Sequence, residues 1–192
     1  MRVKICGITS VEDARHAEEA GADAIGVVLF SKSPRCVSLE RARRIFRAVG
    51  PFIATVAVTH TRSQDDLARV FALRPRAVQI SHPFAFPARP PAQVLRVVRP
   101  GDPLPGDADA LVVDQSMGTG RPYDPEFAHG LIRGSLVPVI LAGGLTPGNV
   151  AGAIRAIRPY AVDVASGVEV RPGEKDPEKV AAFVRAAKEA FP

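Results

Sequence analysis

Eight short runs of β-forming apolar residues recur along this chain, most of them followed by a segment with readable helix signals. The runs cover residues 3–6, 24–29, 53–58, 77–80, 94–98, 110–113, 137–141 and 161–164. Several are continuously apolar rather than alternating, as strands buried on both faces are. Ser10 opens a helix over 11–20, with Asp13 at the capping-box position and Gly21 as the stop. Ser38 precedes a helix over 39–49, and Ser63 with Asp66 opens one that runs to Leu73. Asp124-Pro125, Thr146-Pro147 and Asp176-Pro177 each pair a capping residue with a proline at the first helical position. Strands alternating with helices demand parallel strands joined by right-handed crossovers. Eight such units predict a closed (β/α)8 TIM barrel occupying residues 1–192 as one domain, close to the lower size edge of about 200 residues for that fold. Two units are abbreviated. Pro83, Pro87, Pro90 and Pro91 prevent a regular helix after the fourth run, and the turn-rich stretch from Gly101 to Gly106 leaves no room for one after the fifth. The outer ring should therefore lack two helices, with Phe84 and Phe86 packing over the strands. A doubly wound open sheet is the competing architecture, but a barrel better accounts for eight strands with no uncovered edge.

Composition narrows the function. There are 25 Lys and Arg against 20 Asp and Glu, a net charge of +5, yet the arginines are scattered over predicted helix faces and aromatics are only 6%. That describes a solvated surface better than a nucleic-acid platform. No apolar run approaches the roughly 18–20 residues that span a bilayer. The first ten residues lack a signal-peptide layout, so a cytoplasmic protein with neither membrane nor nucleic acid as partner is expected. Two cysteines, Cys6 and Cys36, are too few for a disulfide framework and suit a reducing compartment. Cys6, beside Gly7, is either a reactive thiol or a small buried hydrophobe. His60, His82 and His129 have no metal-ligand spacing and read as solvated loop residues.

In a barrel of this kind the active site sits at the C-terminal ends of the strands. The residues to read are therefore Cys6 to Thr9, Phe30 to Arg35, Asp114, Ala142-Gly143-Gly144 and Ala165 to Glu169. Paired small residues let backbone N–H groups approach an anion, and the last two loops of a barrel are its usual phosphate seat. Asp114 ends a short apolar strand. It is either a buried carboxyl whose raised pKa keeps it protonated as a proton donor, or a cap for the loop Gln115 to Gly120. If the barrel closes, Cys6 faces Asp114 across the mouth, and a thiol there is a base only as thiolate, with help from N–H groups or a cation. Lys4, two residues back, lies too deep to be that cation from the mouth. Arg35 is a candidate, although its fork is better suited to a substrate carboxylate.

Together these residues resemble the phosphoribosylanthranilate isomerases of tryptophan biosynthesis. The resemblance is carried by Lys4-Ile5-Cys6-Gly7-Ile8-Thr9, Ser33-Pro34-Arg35, Ala77-Val78-Gln79, Asp114 with Gly118-Thr119-Gly120, Ala142-Gly143-Gly144-Leu145-Thr146-Pro147-Gly148-Asn149-Val150, and Val162-Asp163-Val164-Ala165-Ser166-Gly167-Val168-Glu169. It implies an aldose–ketose isomerase that performs an Amadori rearrangement of a small phosphosugar, N-(5'-phosphoribosyl)anthranilate, without cofactor or metal. By that resemblance Cys6 is the general base and Asp114 the general acid. Arg35 holds the anthranilate carboxylate, and Gln79 and Asp163 contribute to substrate binding. Gly143, Gly144, Ser166 and Gly167 hold the phosphate. The chain departs from the family after Gln79, where Ile80-Ser81-His82 replaces the usual Leu-His-Gly, and at Thr59, where asparagine is common.

Two other readings compete. An aminoaldose isomerase of histidine biosynthesis would be expected to use two carboxylates, which Cys6 counts against. A catalytically idle phosphoribosyl-ligand binder would keep affinity without turnover. A bare barrel flank would also suggest a homodimer, unless Phe84 and Phe86 are covered by the chain itself.

Overall fold

A computed structural model describes residues 1–86, 88–114 and 122–190. The Gly118-Thr119-Gly120 motif, the loop that Asp114 was expected to cap, and Pro87 lie outside the described residues. Eight strands, β1 (Arg2–Cys6), β2 (Ala24–Leu29), β3 (Ala54–Thr59), β4 (Ala77–Ile80), β5 (Gln93–Val98), β6 (Ala110–Val113), β7 (Val139–Leu141) and β8 (Ala161–Val164), form a closed barrel in chain order. All eight neighbouring pairs are parallel, and β8 closes onto β1 through Val3↔Val162 and Lys4↔Asp163. The open-sheet alternative is thereby excluded. Among the described residues six helices clothe it: α1 (Val11–Glu19), α2 (Leu39–Ala48), α3 (Gln64–Phe71), α4 (Pro125–Gly134), α5 (Val150–Ile157) and α6 (Pro177–Lys188). Ser10, Ser38, Ser63, Asp124 and Asp176 each cap a helix with the side-chain oxygen, as read from sequence.

One cap differs. The helix expected to start at Thr146-Pro147 begins instead at Val150, with Asn149 before it. The Asn149 side chain accepts from Thr146 N–H at 2.8 Å and donates to the Gly144 carbonyl at 2.9 Å. Those two bonds hold residues 144–149 as a loop and delay the helix by three residues.

The strands separate two apolar cores. Outside the barrel, strand residues such as Ile5, Ile25, Val113 and Val162 pack against Ala14, Ile45, Leu67, Ile154 and Phe183 of the helices. Inside, Val28, Val56, Val58, Ala77, Leu95, Ala110, Val112, Ile140, Ala142 and Ala161 fill the lumen. Side chains alternate between faces along a strand. Position 6 therefore shares the lumen with position 4, 79 with 77, and 163 with 161. The lumen is apolar below and polar above.

Between β4 and β5, and between β5 and β6, the described residues contain no helix, as the proline and turn signals predicted. The flank is not bare. Phe84 is buried, and Phe86 lies edge-on to Phe71 with ring centroids 6.2 Å apart. Arg96, facing outward from β5 yet buried, donates to the carbonyls of His82 (2.9 Å) and Phe84 (2.8 Å) and pairs with Asp107. One guanidinium thus fastens both helix-free loops. Because the chain covers its own flank, the argument for a homodimer from exposed strands falls away.

One element was not anticipated. After β8, a 3-10 turn (Ser166–Val168) leads into an antiparallel hairpin of β9 (Glu169–Arg171) and β10 (Glu174–Lys175). Gly173 turns it at φ 89°, a conformation that favours glycine. Thr9 Oγ1 donates to the Gly173 carbonyl at 2.5 Å, which ties the hairpin to the loop after β1.

Candidate active site

At the C-terminal ends of the strands lies a cavity of ≈ 70 Å³, lined by Cys6, Arg35, His60, Gln79, Ser81, Asp114, Gly143, Gly144, Asp163 and Ser166 among others. It opens into a broader groove of ≈ 1050 Å³ between the loop after β2 and the β9–β10 hairpin; Ser33, Arg35, His60 and Ser166 line both. Almost every residue singled out from sequence meets here. Gly167 is the exception. It is not among the lining residues, and a Cβ at that position would overlap the Leu145 carbonyl oxygen, so this glycine brings the loop after β8 against the loop after β7. Gly143 and Gly144, both at positive φ (99° and 64°), shape the adjoining rim beside Ser166.

The wall made by β8, β1 and β2 is rich in buried charge. Lys4 and Asp163, 4% and 6% exposed, meet across the β1–β8 register with Nζ donating to Oδ2 at 2.7 Å. Burial opposes the charge on Lys4, but Asp163 outweighs it and holds the ammonium above its ordinary pKa. Burial pushes the Asp163 carboxyl up, with Lys4 opposing. Asp163 Oδ1 is buried and has no hydrogen-bond partner among the described residues.

Lys4 also corrects an expectation. The ammonium lies close to the sulfur of Cys6: a Cβ added to Gly26 would meet Cys6 Sγ at 2.9 Å and Lys4 Nζ at 3.1 Å. The four-carbon stem carries the charge up from the layer below, across the space Gly26 leaves open. Burial raises the Cys6 thiol pKa, and the charge on Lys4 pulls against it.

Arg35 stands over the mouth. Its Nε and Nη2 donate to the two carboxylate oxygens of Glu169 at 2.8 and 2.6 Å. The fork expected for a substrate carboxylate is thus engaged by the protein, leaving Nη1 as the nitrogen that Glu169 does not use. Lys175, also buried, donates to Glu169 Oε1 at 2.8 Å and to the Ala165 carbonyl at 3.1 Å. Burial opposes the Glu169 charge, but hydrogen bonds from Arg35 and Lys175 hold its carboxyl below the usual range. Gly7, at φ 75°, lies directly under the Arg35 stem, where a Cβ would come within 2.5 Å of Cδ. Any larger residue there would displace the guanidinium.

The opposite wall is built differently. Gln79, 5% exposed, lines the cavity with Oε1 unpartnered among the described residues. His60 Nδ1 and Ser81 Oγ are hydrogen-bonded at 3.0 Å. Burial lowers the His60 pKa against the pull of Asp114, which favours a neutral imidazole. Asp114 is half-buried rather than buried, and lines the same cavity as Cys6. His60 therefore lines the cavity, half-buried, and is not a solvated loop histidine. Its place one residue past β3 was the signal. Ser81 and His60, rather than His82, occupy this strand end in the cavity. Glu169 and Lys175 were also missed as partners of Arg35, because sequence gave no hint that a hairpin would fold back over the mouth.

Residues 105–186 match the family described as N-(5'-phosphoribosyl)anthranilate (PRA) isomerase. Over 191 residues the chain is 61% identical to an N-(5'-phosphoribosyl)anthranilate isomerase of Methanoregula boonei, covering 99% of this chain and 98% of that one. The chain belongs to the N-(5'-phosphoribosyl)anthranilate isomerase family. Its fold agrees with a phosphoribosyl anthranilate isomerase structure from Thermus thermophilus at TM-score 0.87 and 35% identity, covering all of both chains. A second phosphoribosyl anthranilate isomerase structure, 33% identical with TM-score 0.81 over 98% of this chain and 99% of that one, is a complex with reduced 1-(o-carboxyphenylamino)-1-deoxyribulose 5-phosphate. Among the described residues no helix is long and apolar enough to cross a membrane, and no group of three His, Cys, Asp or Glu side chains is placed to hold a metal ion.

Proposed function

We propose that the chain catalyses the Amadori rearrangement of N-(5'-phosphoribosyl)anthranilate to 1-(2-carboxyphenylamino)-1-deoxyribulose 5-phosphate, with Cys6 as general base and Asp114 as general acid. The observation that carries this reading is that both side chains line one cavity whose rim is built from Gly143, Gly144 and Ser166. Asp114 donates a proton to the furanose ring oxygen as the bond from that oxygen to C1 breaks, and the anthranilate nitrogen supplies the electrons that leave a Schiff base at C1. Cys6 thiolate then removes the proton from C2; the electrons of that bond form the C1–C2 double bond and neutralise the nitrogen. The resulting enolamine becomes the ketone when its C2 hydroxyl loses a proton and C1 gains one. Gly143, Gly144 and Ser166 hold the phosphate, with Gly167 keeping their two loops in contact, and this fixes the sugar between acid and base. Gln79 Oε1 and Asp163 Oδ1, each buried without a partner among the described residues, accept hydrogen bonds from sugar hydroxyls. Arg35 reaches the anthranilate carboxylate through Nη1 while Glu169 holds the other edge of the guanidinium.

The test is loss of anthranilate-type fluorescence when the protein meets phosphoribosylanthranilate generated in situ. Turnover with Michaelis kinetics is expected. Binding without turnover would replace this reading with that of a phosphoribosyl-ligand binder.

A further inference from the structure

The buried charges around Cys6 do not balance. Three cationic side chains, Lys4, Arg35 and Lys175, and two carboxylates, Asp163 and Glu169, are each at least nine-tenths buried on this wall. Their pairings are mutual: Lys4 with Asp163, and Arg35 and Lys175 both with Glu169. The set is one anion short of neutrality, and the side chain at its centre is a thiol. An uncompensated charge in a barrel interior is costly, so the cluster favours whatever anion can form within it. Of the three cations, Lys4 shares a face of β1 with Cys6, and its ammonium and the sulfur both lie within 3.1 Å of the one point that Gly26 leaves empty.

We propose that Lys4 is the positioning residue for the Cys6 base: its ammonium, anchored by Asp163, faces the sulfur across the bare Cα of Gly26 and supplies the countercharge for the thiolate. The proposal rests on the reading of Cys6 as base. Lys4 does not line the cavity and acts through the sulfur rather than on the substrate. It acts by keeping a fixed, buried positive charge beside the sulfur, while Gly26 keeps the approach open. Asp163 sets the strength of that charge, since the more fully its carboxylate neutralises Lys4, the less is left for the thiolate. The remaining charged groups that act on the thiol are Lys175 from β10 and Arg35 from the loop after β2, both drawn toward Glu169, and Asp114 acts in turn on Asp163 from across the cavity.

The experiment titrates Cys6 directly, by thiolate absorbance and by the pH dependence of iodoacetamide alkylation, in a Cys36→Ser background so that one thiol is read. In Lys4→Met the midpoint should rise by at least ~1 pH unit, the acid limb of kcat/KM should rise with it, and kcat/KM near neutrality should fall at least ~10-fold. Lys4→Arg keeps the charge and should restore most of the shift. Asp163→Asn should move the midpoint the other way, downward, because it frees the ammonium; a purely structural role for the pair predicts no such opposition of sign. An unmoved midpoint in Lys4→Met, or an unmoved or raised one in Asp163→Asn, overturns the proposal, and the second arm decides if Lys4→Met does not fold. The two readings fail separately. Full turnover by Cys6→Ser removes the base and the proposal with it, whereas an inactive Cys6→Ser beside an unmoved titration removes Lys4 alone.

Discussion

Two walls face the same cavity and are built by opposite means. On the β8–β1–β2 side, buried ammonium, guanidinium and carboxylate groups interlock, with α1 and α6 behind them and the β9–β10 hairpin folded over the top. On the β3–β6 side, the cavity is lined by neutral hydrogen-bonding groups, His60, Ser81 and Gln79, and by the half-buried Asp114. Behind β4 and β5 the described residues form loops clipped by Arg96 in place of helices. The contrast suits the proposed chemistry. A thiol that must lose its proton benefits from fixed positive charge in a low-dielectric setting. A carboxyl that must donate a proton to a ring oxygen benefits from an approachable position among neutral groups.

Exchanging the reacting group on either wall should have the largest effect. Cys6→Ser and Asp114→Asn should each lower kcat by about 10²–10⁴-fold, the range for loss of a general base or acid, with the affinity for a product analogue retained. If only one wall proves necessary in steady-state kinetics, the division of labour is wrong. Next comes Glu169→Gln, which leaves Lys175 and Arg35 buried beside a neutral amide. Chemical denaturation should show a loss of about 3–5 kcal/mol, as for a broken buried pair, and KM should rise as Arg35 loses its anchor. The sign of its pH dependence is fixed by the Glu169 shift. Because the folded pKa is lowered, its stabilisation is complete above the ordinary glutamate value of about 4.3 and is lost as pH falls through the folded value. Glu169→Gln should therefore lose less stability than the parent over that acid window.

On the opposite side, Arg96→Met should cost about 1–3 kcal/mol, the scale of buried carbonyls left without donors. Its kcat should stay near that of the parent, since the guanidinium faces away from the lumen. A large fall in kcat would mean that the helix-free flank controls the site. The smallest effect belongs to Gln79→Leu, where an unpartnered amide oxygen becomes apolar. Stability should change by less than about 1 kcal/mol, while KM should rise by about tenfold, the equivalent of one lost hydrogen bond. A marked loss of stability would show that Gln79 serves the barrel rather than the substrate.

The barrel was legible because its signals are local. Apolar runs of four to six residues, serine and aspartate caps, and prolines in the fourth unit each act over a few residues, and the closed order of strands follows from repeating them. The strand ends likewise place Cys6, Asp114 and the Gly143-Gly144 loop at one mouth. What escaped was long-range. The depth of Lys4 along β1 suggests a charge below the mouth, but the reach of a lysine stem and the gap at Gly26 decide where that charge sits. Glu169 and Lys175 lie more than 130 residues from Arg35, and the hairpin turn at Gly173 returns Lys175 to the Glu169 that Arg35 holds. His60 carried no motif, and its place in the cavity is fixed by a hydrogen bond to Ser81, one residue past β4.

The most direct test of the two-walled site is a structure with the reduced product analogue bound. The account predicts the phosphate against Gly143, Gly144 and Ser166, the sulfur of Cys6 at near-attack distance, about 3–3.5 Å, from the carbon corresponding to C2, and the Asp114 carboxyl toward the former ring oxygen on the other side. A ligand with its phosphate elsewhere, or with sulfur and carboxyl on the same side of the sugar, would contradict it.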